Sequence, residues 1–338
     1  MKKLVSLICV LAMVLALAAC GSSAPAAATE APAASTEAPA EDVSTDKTFV
    51  VGICQLVQHP ALDAATQGFK DALTEALGDK VTFQEQNASG DSATCSLICN
   101  QFVSDEVDLI MANATASIQA AASATNTIPI LGTSITDYGV ALGVDNWTGV
   151  SGTNISGTSD HAPLDGQAAM VQELFPDAKT IGLLYCSGEP NSIFQADSME
   201  ALLTDMGYSV ERYTFADSND VSSVTANACS NADVLYIPTD NTAASCTEAI
   251  NNVALSAGIP IVAGEEGLAS GCGVATLSIS YYDLGRATGE MAAEILTEGA
   301  DISTMEVRFA PAFTKEYNAD ICEALNITVP EDYVAIAK

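Results

Sequence analysis

Residues 48–54 read TFVVGIC, and residues 179–186 read KTIGLLYC. Each run is mainly apolar and contains β-branched side chains, as expected of a strand covered on both faces of a sheet. Apolar residues then recur at helical spacing over 62–77 after the first run, and a helix is predicted over 192–206 after the second. The two runs therefore predict the opening strands of two similar α/β lobes.

The alternation of strand and helix continues in both halves of the chain. Repeated strand–helix–strand units favour a doubly wound parallel sheet with helices on both faces. A segment rich in Gly, Ser, Thr and Asn, residues 143–159, separates the two halves. We predict a first lobe over 47–157 that is completed by about 282–338, and a second lobe over 158–281, joined by a hinge.

The N-terminus has the pattern of a secretion signal. Two lysines precede an apolar run over residues 4–19, and the small residues before Cys20 are typical of the lipobox of bacterial lipoproteins. We predict a signal peptide over 1–19 and a lipid on Cys20; the alternative is an ordinary cleaved signal in which this cysteine is incidental. Residues 20–46 are rich in Ala, Pro, Ser, Thr and acids, which predicts a disordered tether.

That tether would span about 30 Å if it behaves as a flexible chain. The predicted location is therefore the cell membrane, with the globular part held by lipid on the extracytoplasmic face.

The charge balance limits the class of partner. The chain has 11 basic and 43 acidic residues, and loss of Lys2 and Lys3 with the signal would leave 9 basic residues and a net charge of −34. Such a surface repels the phosphate backbone, so no nucleic-acid partner is expected. Because 49% of the residues are apolar, the chain has ample material for a folded core.

The cysteine count leaves two states open. Apart from Cys9 in the signal and Cys20, eight cysteines remain, which outside the cell could form disulfides or stay as buried free thiols. Only two histidines, His59 and His161, are present, so a metal site is disfavoured and no cofactor is expected.

Candidate binding residues follow from the topology. Ligands of open parallel sheets bind outside the carboxyl ends of the strands, where helix N-termini present free N–H groups. Each polar residue at such a junction could also be a simple helix cap. The candidates are Gln58, His59, Thr115, Ser134, Glu189, Asn191, Ser192, Asp240, Asn241, Glu265 and Tyr282.

Catalytic motifs are lacking. The sequence has no phosphate-binding loop of the Walker type and no Gly-x-Ser-x-Gly elbow. Cys54 and His59 could form a nucleophile and base, but little positive charge surrounds them to ionise the thiol. We predict no catalytic residues and no enzymatic activity.

Four blocks in the correct order carry a family resemblance. Together they resemble the ABC-transporter substrate-binding lipoproteins of the tryptophan/tyrosine-type family. This resemblance implies a type-1 periplasmic binding protein, with two lobes, three hinge crossings and a ligand held by closure. The blocks are residues 54–63 (CQLVQHPALD), 187–192 (SGEPNS), 238–241 (PTDN) and 281–286 (YYDLGR).

The family's usual ligand is an aromatic amino acid, delivered to a separate permease and its ATPase, and we expect a monomer. In this reading Asp240 pairs with the ligand's ammonium group, hydroxyls such as Thr115 and Ser134 receive its carboxylate, and Gln58 and His59 close over it. A sugar, a nucleoside or another small signal is the alternative ligand. A surface-anchored enzyme or sensor ectodomain is the more distant alternative.

The lipid anchor gives the first testable prediction. We expect Cys20→Ser to move the protein from the membrane fraction to the soluble fraction of the cell, because the tether itself offers no apolar surface. The Cys9→Ser protein is the matched control and should stay with the membrane. If Cys20→Ser protein still fractionates wholly with membranes, lipidation of Cys20 is not the anchor.

Overall fold

Two β-sheets organise the fold. The computed structural model describes residues 47–337, so the predicted signal peptide, Cys20 and tether lie outside the described residues. The strands are β1 (Phe49–Gln55), β2 (Val81–Asn87), β3 (Leu109–Asn113), β4 (Ile130–Ile135), β5 (Ile155–Ser159), β6 (Thr180–Cys186), β7 (Ser209–Phe215), β8 (Val234–Ile237), β9 (Ile261–Ala263), β10 (Ala275–Ser278), β11 (Arg308–Phe309), β12 (Thr314–Tyr317) and β13 (Val334–Ala335).

Helices separate most of these strands, as the periodicity predicted. The α-helices are α1 (Pro60–Leu77), α2 (Ser92–Ser104), α3 (Thr115–Ala124), α4 (Tyr138–Leu142), α5 (Leu164–Leu174), α6 (Pro190–Asp205), α7 (Val221–Asn231), α8 (Asn241–Ala244), α9 (Thr247–Ala257), α10 (Glu266–Gly271), α11 (Tyr281–Glu298) and α12 (Ala319–Leu325). None of the helices within 47–337 has the length and apolar composition that crossing a lipid bilayer requires.

The two sheets share one strand order. The first sheet runs β11-β5-β4-β3-β1-β2, and all of its pairings are parallel. The second runs β13-β12-β10-β9-β8-β6-β7 and is parallel except where β10 meets β12. Each sheet therefore contains the same five-strand unit in the same order, which confirms two doubly wound α/β lobes.

The chain passes between the lobes three times. The crossings lie between β5 and α5, between β10 and α11, and between β11 and β12. All three leave from the same side of each sheet, because β5 and β11 are neighbours in the first sheet and β10 and β12 are neighbours in the second. The lobes are therefore hinged at one edge.

Both predicted lobe boundaries need correction. Strand β5 belongs to the first sheet, so the predicted limit between residues 157 and 158 falls inside a strand. Its sequence, ISGTS, has too few β-branched or aromatic residues to signal a strand. Beyond β11 the chain returns to the second lobe, since β12 pairs with β10, so the first lobe is not completed by the whole of 282–338.

Close backbone contact joins α1 and α11 in the first lobe. A Cβ atom added at Gly285 would overlap the carbonyl oxygen of Ala65, and one added at Gly68 would overlap that of Tyr282. Only glycine allows helices to approach this closely. The start of α11, and with it the crossing that follows β10, is thereby fixed against the first lobe.

Candidate functional site

The carboxyl ends of the first sheet bring polar residues to one edge. Asn113 ends β3 in register with Thr133 of β4, and the N–H of Ala114 donates to the carbonyl of Thr133 at 3.1 Å. The N–H of Asp160, which follows β5, donates to the carbonyl of Ile135 at 3.2 Å. We call Asn113, Ser134 and Asp160 the first-lobe edge.

Backbone strain is concentrated at the same edge. Ala114 has φ 85° and ψ 161°, a backbone conformation that residues other than glycine rarely adopt, and Ser134 has a positive φ of 56°. Such conformations cluster at binding sites, where the surrounding structure maintains them. The strained turn at Ala114 starts the ten-residue helix α3, so the N-terminus of α3 and the buried Thr115 lie at this edge.

Several buried polar atoms at this edge have no hydrogen-bond partner. Among the described residues, five buried side-chain atoms lack one, and Thr276 Oγ1 is the member that lies in the second sheet. An unsatisfied buried polar group costs about 1–3 kcal/mol, so four on the first lobe, three of them at this edge, indicate a surface prepared for another molecule. The other four atoms are His59 Nδ1, Asn113 Oδ1, Ser134 Oγ and Asp160 Oδ1.

Asp160 is the most unusual of these residues. It is 4% exposed, its Oδ2 accepts a hydrogen bond from the hydroxyl of Tyr281 at 2.8 Å, and none of the ion pairs within 47–337 includes it. Burial raises the pKa of Asp160, while the hydroxyls of Tyr281 and Thr136 offset part of the rise. A buried carboxylate without a paired cation is costly in free energy, which makes Asp160 a candidate site for a cationic group.

The predicted acids of the second lobe already accept hydrogen bonds from groups of the chain itself. The carboxylate of Glu189 accepts four hydrogen bonds of 2.7–3.0 Å, from the backbone N–H and the side chain of Asn241 and from the backbone N–H and the hydroxyl of Thr242. Asp240 accepts at 2.7 Å from the N–H groups of Cys186 and Ala243. Because both of its oxygens are bound to backbone groups, the contacts of Asp240 do not support its predicted pairing with a ligand's ammonium.

Glu265 has the same role at the next helix. Its two oxygens accept from the N–H groups of Gly267 and Leu268 at 2.5 and 2.6 Å, which caps α10. Burial raises the pKa of Glu265 to about 7, although these two N–H groups lower it. Burial also raises the pKa of Asp240, and the neighbouring Glu189 adds to the rise. These acids stabilise helix starts.

Hydrogen bonds join the facing edges of the two lobes. His59 Nε2 lies 3.3 Å from Asn241 Oδ1, and Gln195 Nε2 donates to Thr136 Oγ1 at 3.4 Å. Burial lowers the pKa of His59, and the hydrogen bond with Asn241 offsets part of this change. The facing edges of the two sheets are thus in contact, which is a closed arrangement of the lobes.

A cavity of about 380 Å³ lies between the lobes, and Asn241, the partner of His59, is part of its lining. It is polar on the second-lobe side, where Glu189, Asn241 and Thr242 contribute, and partly apolar on the first, where Leu56 and Val57 contribute. Within 47–337 no group of three or more His, Cys, Asp or Glu side chains is arranged to hold a metal ion.

The structure brings most of the predicted residues to the facing edges, places two elsewhere, and gives a third only a capping role. Gln58 is exposed and lines a cavity on the first lobe alone. Tyr282 is 38% exposed, and its hydroxyl donates to Asp71 on α1. Glu265 is at the second-sheet edge but only caps α10. Those at the facing edges are His59, Thr115, Ser134, Glu189, Asn191, Ser192, Asp240 and Asn241.

Sequence reasoning missed Asp160 and Gln195. Asp160 follows the strand that was not predicted, so no strand-to-helix junction drew attention to it. Gln195 lies a full turn inside α6, away from any junction. The available signal for Asp160 was its position directly after the polar stretch, residues 143–159, that separates the two halves of the chain.

Known proteins resemble this chain over nearly all of the described region. Residues 50–338 match the family model described as ABC transporter substrate binding protein. The tyrosine-binding protein of Clostridioides difficile strain R20291 is 38% identical over 280 residues, which are 82% of this chain and 81% of that protein.

Two solved structures provide a comparison of conformations. An ABC domain from Streptococcus pneumonia in complex with L-Trp is 32% identical, covers 84% of this chain and 97% of its own, and has a TM-score of 0.80. The ligand-free, open structure of a substrate binding protein with adhesive properties from Clostridium difficile is 37% identical, covers 86% and 99%, and has a TM-score of 0.65. The structural agreement is better with the ligand-bound protein although its sequence identity is lower, as expected of a closed arrangement.

The lowered pKa of His59 predicts a pH effect on stability. As pH falls below about 6.5, the ordinary histidine pKa, the unfolded chain takes up a proton that the folded protein resists, so His59 lowers the free energy of unfolding. The raised pKa values of Asp240 and Glu265 act in the opposite direction, because the folded protein then binds their protons first. The contribution of His59 is therefore measured as the difference in the free energy of unfolding between wild type and His59→Gln at each pH.

We expect wild type to lose stability relative to His59→Gln as pH falls through that range, by ~1.4 kcal/mol for each unit by which burial lowers the pKa. Urea unfolding at a series of pH values measures the difference. The His161→Gln protein keeps His59 and should follow the wild type. A constant difference between wild type and His59→Gln across the series would contradict the prediction.

Proposed function

The chain belongs to the family of ABC transporter substrate binding proteins, and we propose that its ligand is an aromatic amino acid, held between the lobes and released to a membrane permease. Solute capture follows from family membership. The aromatic ligand is supported by the relatives, of which one is named a tyrosine-binding protein and another is solved with L-Trp.

The buried carboxylate of Asp160 carries the proposal. An amino acid presents an ammonium group, and Asp160 Oδ1 is a buried carboxyl oxygen with no hydrogen-bond partner among residues 47–337. A charge-assisted hydrogen bond between the two would satisfy both groups at once. A neutral sugar has no cationic group to stabilise the ionised form of Asp160, so this residue favours a cationic group over a sugar.

The ligand's carboxylate has a complementary surface nearby. The N-terminus of α3 starts at the same edge, and helix N-termini bind anions through free N–H groups and the helix dipole. The unpartnered hydroxyl of Ser134 adds a donor. Arginine is not required for this role. Arg286 lies away from this edge and forms an ion pair with Glu75, with 2.6 Å between its Nη2 and the carboxylate.

Closure would couple binding to delivery. A ligand shifts the equilibrium between open and closed lobes only if it contacts the closed form more strongly. Asp160 and Ser134 belong to the first-lobe edge, whereas Asn241 and Gln195 come from the second lobe, so one ligand in the cleft could contact both. The permease would then distinguish the closed, loaded protein from the open one.

We propose no chemical step on the ligand. Cys54 is fully buried, with its thiol 3.7 Å from the hydroxyl of Ser117. A hydrogen bond with Cys95 lowers its pKa, but a hydrogen bond with Cys99 and burial outweigh it and raise the pKa of Cys54 to about 12. A nucleophilic thiol requires the opposite shift. In the cell we expect a monomer anchored through Cys20, serving a permease and its ATPase.

A thermal-shift screen tests the proposed ligand class. The protein is first unfolded and refolded to remove any bound ligand, and then screened with L-tyrosine, L-tryptophan, L-phenylalanine, L-leucine, ribose, galactose and adenosine. A ligand at a hundred times its Kd should stabilise the protein by about 2.7 kcal/mol, a rise in Tm of about 2–4 °C per kcal/mol. We expect aromatic amino acids to give the shift. A shift with a sugar or adenosine alone would reject the ligand assignment.

Replacement of Asp160 separates binding from folding. We expect Asp160→Asn to weaken binding of the aromatic amino acid about ten- to a hundredfold, through loss of a charge-assisted hydrogen bond worth about 1.5–3 kcal/mol. The ligand-free Tm should stay the same or rise, because burial disfavours the ionised carboxylate that the neutral amide replaces. Calorimetry measures Kd, and Asp283→Asn makes the same charge change at an exposed position as control. Unchanged affinity in Asp160→Asn would remove Asp160 from the site.

A further inference from the structure

The hydrogen bonds of three residues determine where His59 carries its proton. Glu189 accepts from the N–H groups of Asn241 and Thr242, so its oxygens act as acceptors. Asn241 Nδ2 lies 2.7 Å from Glu189 Oε2 and must donate to it. The carbonyl oxygen of the Asn241 side chain therefore faces His59 Nε2 at 3.3 Å. Two acceptors cannot form a hydrogen bond, so Nε2 of His59 carries the hydrogen.

The second ring nitrogen is then a bare acceptor. Burial lowers the pKa of His59, so the ring is neutral at neutral pH, and a neutral imidazole protonated on Nε2 has a lone pair on Nδ1. His59 is 6% exposed, and Nδ1 has no hydrogen-bond partner among the described residues. A bound molecule with a donor group at this position would satisfy the atom.

Strand order separates the strands that lead to His59 and Asp160. Asp160 follows β5 and His59 lies four residues beyond β1, and the sheet runs β5-β4-β3-β1 between them. Three strand spacings put the ends of these two strands about 14 Å apart. A ligand whose ammonium group contacts Asp160 would therefore direct its opposite end, the aromatic ring, towards His59. The length of an aromatic amino acid together with a hydrogen bond at each end suits such a separation.

We propose that Nδ1 of His59 accepts a hydrogen bond from a donor on the ligand's aromatic ring, so that the site selects a phenol O–H or an indole N–H. The inference rests on the proposed function and specifies its ligand class: L-tyrosine and L-tryptophan are preferred to L-phenylalanine. Phenylalanine fills similar space but leaves the buried acceptor unsatisfied. Sites built to hydrogen-bond a ligand group discriminate strongly against the analogue that lacks it.

Calorimetry on the refolded wild-type protein tests this selectivity. We expect L-tyrosine and L-tryptophan to bind at least about tenfold more tightly than L-phenylalanine, and O-methyl-L-tyrosine to lose the advantage of L-tyrosine. If L-phenylalanine binds as tightly as L-tyrosine, this inference fails while the proposed function stands. If no aromatic amino acid binds, the proposed function fails and the inference fails with it.

Two variants of His59 form a matched pair. In His59→Gln, the side-chain amide can donate to Asn241 and its carbonyl oxygen can replace Nδ1, so the preference for L-tyrosine should be retained. In His59→Phe, neither group is available, and the ratio of L-phenylalanine to L-tyrosine Kd should fall to about one. Their ligand-free Tm values control for folding. A preference that survives in His59→Phe would overturn the assignment.

Nitrogen NMR of histidine-labelled protein gives a test that is independent of affinity. The chain has two histidines, so the signals that disappear in His59→Gln identify His59. With L-tyrosine bound, we expect the proton on Nε2 and a hydrogen-bonded lone pair on Nδ1. A proton on Nδ1 in the bound protein would overturn the inference.

Discussion

Three crossings of the chain hold the carboxyl ends of two parallel sheets against each other. The polar groups that follow each strand are thereby brought together from distant parts of the sequence, and residues 59 and 241 come into contact. The close approach of α1 and α11 fixes one of these crossings to the first lobe. The candidate site depends on this connectivity, because neither lobe alone encloses a ligand.

The closed lobes place polar atoms where solvent does not reach them. Ser134, Asn113 and Asp160 each keep a buried atom without a partner, and Ala114 and Ser134 hold strained backbone conformations. A protein selected only for stability would remove such features, whereas a binding protein retains them because the bound molecule satisfies them. The second lobe differs, since its buried acids already bind backbone N–H groups.

The sequence predicts the fold better than the site. Periodicity identified most of the longer helices and the apolar strands, because buried parallel strands are nearly continuous apolar runs. It failed at β5, whose ISGTS sequence is polar and glycine-containing, and Asp160 was missed with it. Asp240 shows a different limit: a carboxylate between a strand and a helix can turn back to cap the helix or project into the cleft, and its neighbours in sequence do not distinguish the two.

The position of the hinge sets the order in which contacts form. Because the crossings lie beside β5 and β10, the opposite side of the first sheet, at β2, is about four strand spacings or ~19 Å away. As the lobes rotate together, points near the hinge meet at wide angles and points far from it meet last. The bond from Gln195 to Thr136, beside β4, would form before the bond from His59 to Asn241, beside β1. A captured molecule would thus be bound first at its end nearest the hinge. Its far end would contact the second lobe only in the final degrees of rotation.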